Sequence, residues 1–124
     1  MPDATQPLNG RRILIVEDEY LIAMQVKRWL SAAGAAVIGP VPSVEQALDL
    51  IEEDSLDAAV LDVNLGNGDT VYPVADKLSA LGVPYLFATG DVKISGAAAF
   101  RQCSQLEKPF VEGELLQAMC KLIA

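Results

Sequence analysis

Short apolar runs alternate along this chain with segments in which apolar residues recur every three or four positions. The runs predict buried β-strands at residues 13–16, 36–41, 58–61 and 85–88, and the short segment 105–107 supplies a fifth. Because strands that alternate with helices form right-handed crossovers, the strands should be parallel. We therefore predict an α/β fold with a five-stranded, doubly wound parallel sheet. The strand order 2-1-3-4-5 is preferred, since it places Asp18 opposite Asp62.

The segments between the runs predict amphipathic helices. The first ends near Gly34, which stands where a left-handed cap is expected, and Ser43 with Gln46 forms a capping-box signature for the second. A third helix and a final one are predicted over residues 71–78 and from about residue 112. The stretch 91–104 has an alanine run and no clear amphipathic period, so the fourth helix is predicted to be short or poorly formed.

Length, composition and charge restrict the class of protein. The chain has 124 residues, 52% of them apolar, which predicts one domain with residues 1–10 as a flexible tail and 11–124 as the folded core. No signal peptide is evident and no apolar stretch approaches about 20 residues, so no membrane association is expected. The net charge of −8 disfavours nucleic-acid binding. Cys103 and Cys120 form no metal or redox motif, which favours a reduced, cytoplasmic setting.

Polar side chains follow the predicted strands at the edge where parallel strands deliver them to a crevice. They are Glu17, Asp18, Asp62, Thr89 and Lys108. Three carboxylates in one place repel one another and need a cation to neutralise them. Because the chain contains no histidine, an imidazole base is excluded. The acids, the hydroxyl and the lysine together predict a magnesium-assisted phosphoryl site.

Four motifs occur in order, each at the end of a predicted strand: IVEDE at 15–19, LDVNL at 61–65, FATG at 87–90 and EKPF at 107–110. In this combination the chain resembles the receiver domain of bacterial two-component response regulators, which has a CheY-like, flavodoxin-like fold. The segment 84–90 and Leu65-Gly66 resemble more narrowly the FATGUY group of single-domain alphaproteobacterial receivers, which act in stress-response phosphorelays.

The resemblance implies that Asp62 is the phosphoacceptor. Lys108 would pair with Asp62 before transfer and with a phosphoryl oxygen afterwards, Thr89 would bind another phosphoryl oxygen, and Gly90 would leave space for the group to enter. Such a domain would be a phosphoacceptor in signalling and not an enzyme in the usual sense. It would assist only its own Mg²⁺-dependent phosphorylation and dephosphorylation.

The resemblance also implies a metal site for Mg²⁺, with Mn²⁺ as a substitute. Its direct ligands would be Asp18, Asp62 and the backbone carbonyl of Asn64, and Glu17 would hold a metal-bound water.

One position departs from the usual receiver pattern. The residue three before the lysine is normally Tyr or Phe and turns inward as the threonine moves, but here it is Gln105. The switch formed by Thr89, Gly90 and this position therefore cannot operate in its usual form. We hypothesise that phosphorylation instead orders or displaces residues 90–102. Unchanged hydrogen exchange in that segment on adding a phosphoryl mimic would argue against the hypothesis.

The implied partner is a histidine kinase or a histidine phosphotransfer protein, with a downstream protein target as a further candidate. The chain itself is expected to be a monomer or a weak dimer.

Two other functions stay open. A phosphatase of the haloacid dehalogenase type also uses Asp, Mg²⁺, Thr and Lys, but it normally has a second Asp where this chain has Asn64. A receiver-like interaction module that signals without phosphate would have no need of the complete set of Asp18, Asp62, Thr89 and Lys108.

Overall fold

The structure, a computed structural model, describes residues 6–63, 65, 70–89 and 104–123, with the backbone alone at residues 89 and 104. In these ranges a single sheet contains five strands in the order β2-β1-β3-β4-β5. All neighbouring strands are parallel, which confirms the predicted topology. The strands are β1 (Arg12–Val16), β2 (Ala36–Val41), β3 (Ala58–Asp62), β4 (Tyr85–Thr89) and β5 (Ser104–Glu107).

Four helices occur in the described ranges: α1 (Tyr20–Ala32), α2 (Val44–Glu53), α3 (Tyr72–Ala80) and α4 (Glu112–Ile123). The Ser43 hydroxyl accepts a hydrogen bond from the Gln46 backbone N–H at 3.3 Å, which caps α2 as its sequence predicts. Residues 91–103 of the predicted weak helix lie outside the described residues, and residue 104 is the first residue of β5. None of the described helices combines the length and apolarity needed to cross a bilayer.

The helices cover both faces of the sheet, as the uninterrupted apolar strands require. On one face, α2 and α3 pack against the side chains of Leu14, Leu61 and Phe87. On the other face, α1 and α4 pack against Ile13, Val60 and Leu86. Every residue of β3 is buried, and this includes its last residue, Asp62, although its side chain carries a carboxyl group.

The chain packs against the core before β1 begins. Leu8 is 1% exposed, and its backbone N–H donates to the Ala33 carbonyl at 2.9 Å. The neighbouring Gly34 has φ 96°, and a Cβ there would lie 2.8 Å from the Asn9 Cα. The glycine that ends α1 thus also leaves room for this N-terminal turn. Residues 1–10 are predicted to be a flexible tail, but Leu8 departs from that prediction, because its side chain completes the apolar layer under α1.

Candidate functional site

The ends of β1 and β3 bring two acidic residues together. These strands are neighbours, with Val16 opposite Leu61. Glu17 follows β1 and Asp62 ends β3, so both lie at the carboxyl edge of the sheet. This is the edge at which open α/β sheets form their crevices.

A bulge in the outer strand fixes the backbone of Glu17. The register of β1 against β2 shifts just before Val16, which lies opposite Val41. The bulge contains Gly39, whose φ is 93° and where an added Cβ would lie 3.0 Å from the Ile15 carbonyl oxygen. Beyond it, the Glu17 N–H donates to the Val41 carbonyl at 3.0 Å. The side chain of Glu17 therefore starts from a backbone position held by β2.

Three carboxylates form the centre of the site. Glu17, Asp18 and Asp62 each offer an oxygen, and these oxygens lie within 4.8 Å of one another. Glu17 and Asp62 are each 6% exposed, whereas Asp18 is open to solvent. Clustered carboxylate oxygens with one exposed member are the hard donors that Mg²⁺ prefers, and the open side leaves room for the waters it retains. The residues present therefore fit a magnesium ion.

Lys108 provides the positive charge of the site. It follows β5, and its Nζ lies 2.8 Å from Glu17 Oε2 and 3.4 Å from Asp62 Oδ1. The resemblance implies pairing with Asp62 before transfer, but the shorter ion pair is with Glu17. The other oxygen of Glu17, Oε1, accepts a hydrogen bond from the Glu19 N–H at 3.2 Å.

The electrostatics of the cluster are unfavourable without a further cation. Burial raises the pKa of Asp62, and the hydrogen bond and negative charge of Glu17 raise it further. Lys108 acts in the opposite direction, yet the pKa of Asp62 reaches about 8. Burial lowers the pKa of Lys108, but its contacts with Glu17 and Asp62 outweigh burial and leave that pKa above its ordinary value. Lys108 is thus charged and still does not neutralise the acids.

The remaining predicted site residues are only partly described. Thr89 ends β4, next to β3, so its backbone lies at the same edge of the sheet, while its side chain is outside the description. Asn64 and Gly90 lie outside the described residues, as does the segment 91–102 to which we assigned the conformational response. Gln105 is exposed on β5, opposite Phe87, and lines a groove of about 350 Å³ between β5 and α4.

Two features of the site were not predicted from the sequence. One is the link from Glu17 to Lys108 and the Glu19 backbone, for which the sequence carries no local signal. The other is an apolar cavity of about 320 Å³ beside Lys108, lined by Ile22, Val26 and Phe110 among others. Its lining comes from α1 and from the segment after β5, which only the folded chain brings together.

Comparisons with known proteins show which family the chain is similar to. Residues 13–120 match the sequence model of a family described as the response regulator receiver domain. The solution structure of SdrG from Sphingomonas melonis Fr1 is 40% identical, with a TM-score of 0.81, covering 95% of this chain and 98% of that one. The BeF3-activated conformation of SdrG, from Pseudomonas melonis Fr1, is 38% identical, with a TM-score of 0.78 and coverage of 98% and 100%.

A curated relative is longer than this chain. The transcriptional regulatory protein PdtaR of Mycobacterium tuberculosis is 28% identical over 125 residues, which cover 94% of this chain and 57% of that protein. The chain therefore spans a little over half the length of this relative.

Proposed function

This chain belongs to the family of response regulator receiver domains, and we propose that it accepts a phosphoryl group on Asp62 from a phosphohistidine of a histidine kinase or phosphotransfer protein. The observation that carries the proposal is the position of Asp62: it ends a fully buried strand, faces Glu17 and Asp18, and lies 3.4 Å from the Lys108 ammonium. A carboxylate is a weak nucleophile, so such a site must act by positioning and charge neutralisation.

In the transfer, a carboxylate oxygen of Asp62 forms a bond to phosphorus while the bond from phosphorus to the histidine nitrogen breaks. The electron pair of the broken bond stays with the leaving imidazole. We assign the contact with one phosphoryl oxygen to Lys108, and its Nζ, 2.8 Å from Glu17 and 3.4 Å from Asp62, supports this role. We assign a second phosphoryl contact to the hydroxyl of Thr89, the last residue of β4, and entry space for the phosphoryl group to Gly90.

We assign the metal site to Asp18, Asp62 and the Asn64 carbonyl as direct ligands, with Glu17 acting through water. Bound Mg²⁺, or Mn²⁺ in its place, would neutralise the charge shared by the acids and the phosphoryl oxygens. Burial is the largest cause of the raised pKa of Asp62 and Glu17 is the next, and a bound cation would offset both by favouring the ionised acid. Asp18 is the exposed member of the cluster, so it can bind a hydrated ion without further opening of the fold.

The proposed role also suggests a signalling pathway, a cellular compartment and a class of partner. We propose a two-component phosphorelay in the bacterial cytoplasm, with signalling in a stress response as the narrower assignment that the FATGUY resemblance suggests. No nucleic acid is proposed as a partner, because the net charge of −8 opposes contact with phosphate backbones. The beryllofluoride-activated form of SdrG supports the use of that anion as a phosphoryl mimic for this chain.

Phosphoryl labelling of an Asp62→Asn variant tests the proposal. The substitution is nearly isosteric and removes one charge from a crowded cluster, so we expect the variant to fold and to take up no label from a histidine kinase or from acetyl phosphate. Labelling at wild-type stoichiometry would place the acceptor elsewhere. Turnover of p-nitrophenyl phosphate by the wild type would instead favour the phosphatase alternative.

A further inference from the structure

We propose that Glu17 is a positioning residue that holds the Lys108 ammonium beside Asp62 rather than on it. The proposal rests on the proposed function, because it concerns Lys108 as the cation that meets the phosphoryl group. It gives Glu17 a task in the site before metal or phosphate arrives, in addition to holding a metal-bound water.

The lengths of the two ion pairs are the first support. Charge-assisted hydrogen bonds from an ammonium to a carboxylate are typically about 2.7–2.9 Å long. The 2.8 Å contact of Lys108 Nζ with Glu17 Oε2 falls in this range, and the 3.4 Å contact with Asp62 Oδ1 does not. The main bond of Lys108 is therefore to Glu17. Asp62 keeps a weaker contact with the same ammonium.

The second support is that Glu17 is held at both ends. Its backbone N–H donates to the Val41 carbonyl at 3.0 Å, and its Oε1 accepts from the Glu19 N–H at 3.2 Å. The carboxylate thus joins the start of α1 to the end of β5 through Lys108. An aspartate is shorter by one carbon–carbon bond, about 1.5 Å, and could not reach both Lys108 and Glu19 from the same backbone position.

The arrangement matters for the reaction because Lys108 can help or hinder Asp62. A lysine bonded tightly to Asp62 would stabilise the carboxylate before attack and so raise the barrier. A lysine held on Glu17 leaves the Asp62 oxygens less engaged and still lies within one short movement of the incoming phosphoryl group. Glu17 thereby prepares the cation in advance of the transfer.

Nuclear magnetic resonance of the metal-free protein can test this without any phosphoryl transfer. We expect Glu17→Gln to shift the ¹⁵Nζ and ¹³Cε signals of Lys108, because the amide cannot replace the ionic partner, with Lys108→Arg identifying those signals. The matched control is Asp18→Asn, which also removes one acid of the cluster. In the described part of the chain Lys108 pairs with Glu17 and Asp62 and not with Asp18, so its signals should move little. Equal shifts in both variants would overturn the proposal.

Transfer kinetics provide the second measurement. At saturating Mg²⁺ and with acetyl phosphate as donor, we expect Glu17→Gln to lower the rate constant of labelling about tenfold, the size of effect typical for a lost charge-assisted hydrogen bond. Saturation with the metal separates this effect from any loss of metal affinity. Glu17→Asp, which keeps the charge but loses the reach to Glu19, should fall between Gln and the wild type. A wild-type rate in the Gln variant would contradict the positioning role.

The two measurements also separate this proposal from the proposed function. If no variant and no wild-type protein is labelled, Asp62 is not the acceptor, whereas the Lys108 signals still report on Glu17. If the wild type is labelled and Glu17→Gln changes neither the Lys108 signals nor the rate, the function stands and the positioning role is wrong.

Discussion

The carboxyl group of Asp62 is buried beside that of Glu17, and burial first, with Glu17 second, raises its pKa from 3.8 to about 8. Between these two values the folded chain retains a proton that the unfolded chain releases. Because the folded state binds more protons in this window, the free energy of unfolding falls as pH rises through it. One such proton corresponds to a slope of at most about 1.4 kcal/mol per pH unit.

We therefore expect metal-free wild-type protein to lose stability between about pH 5 and pH 8 relative to Asp62→Asn, which has no carboxyl group to titrate at this position. Urea denaturation in the presence of chelator, at intervals of one pH unit, measures both profiles. Adding Mg²⁺ should remove most of the difference, since a bound cation favours the ionised acid. Parallel profiles for the two proteins would show that the neighbouring acids, and not Asp62, hold the proton.

Exposure and contacts distinguish the two acids that follow β1. Asp18 is open to solvent, whereas Glu17 is buried and bonded to Lys108 and to the Glu19 N–H. We expect Asp18→Ala to weaken Mg²⁺ binding by at least tenfold and Glu17→Ala to weaken it less, as is typical of a residue that acts through water. Titration calorimetry with MgCl₂ gives both affinities. Equal losses in the two variants would contradict the division between a direct ligand and a water-mediated one.

The strands and helices could be predicted largely from the sequence, because their signals are local. The run at 58–61 is apolar throughout and forms a strand covered on both faces, and Ser43 caps α2 as its spacing from Gln46 indicates. The edge at which Glu17, Asp18, Asp62 and Lys108 meet also follows, since parallel strands end together. Which acid Lys108 prefers does not follow. That choice depends on a few tenths of an ångström between long side chains from strands that are not neighbours.

The cap of α2 provides a test at the level of one helix. Ser43→Ala removes the hydroxyl that accepts from the Gln46 N–H, so we expect a loss of about 1 kcal/mol in the free energy of unfolding. Ser31→Ala is the matched control, because Ser31 is exposed in the last turn of α1, where alanine is a good helix former. Chemical denaturation of both variants checks the difference. A neutral Ser43→Ala would mean that water satisfies the start of α2 equally well.

For the molecule as a whole, the N-terminal turn belongs to the core. A single leucine between Pro7 and Asn9 carries no periodic signal, so the burial of Leu8 could not be predicted from the pattern. In the folded chain its side chain joins the layer formed by Leu30, Ala33 and Ile13. The folded unit therefore begins earlier than the first strand.

We expect Leu8→Ala to lower the free energy of unfolding by about 2–5 kcal/mol, the usual range for a leucine removed from a packed core. Leu21→Ala is the control, because Leu21 is 81% exposed on α1 and its truncation should change stability by less than about 0.5 kcal/mol. Thermal and urea unfolding provide the comparison. Similar small effects of both substitutions would show that the N-terminal turn unfolds independently of the sheet.

The turn at Leu8 also decides how the molecule can be handled. It bonds to the Ala33 and Gly34 carbonyls, at the amino end of β2, whereas the acidic cluster lies at the carboxyl end of β1 and β3. A surface tether attached ahead of residue 6 would therefore hold the protein by the edge of the sheet remote from Asp62. Immobilised in this way on a sensor chip, the chain presents its acidic end to the solution, where a kinase in the flow can reach it. A tether that replaced residues 6–10 would instead open the core it was meant to leave intact.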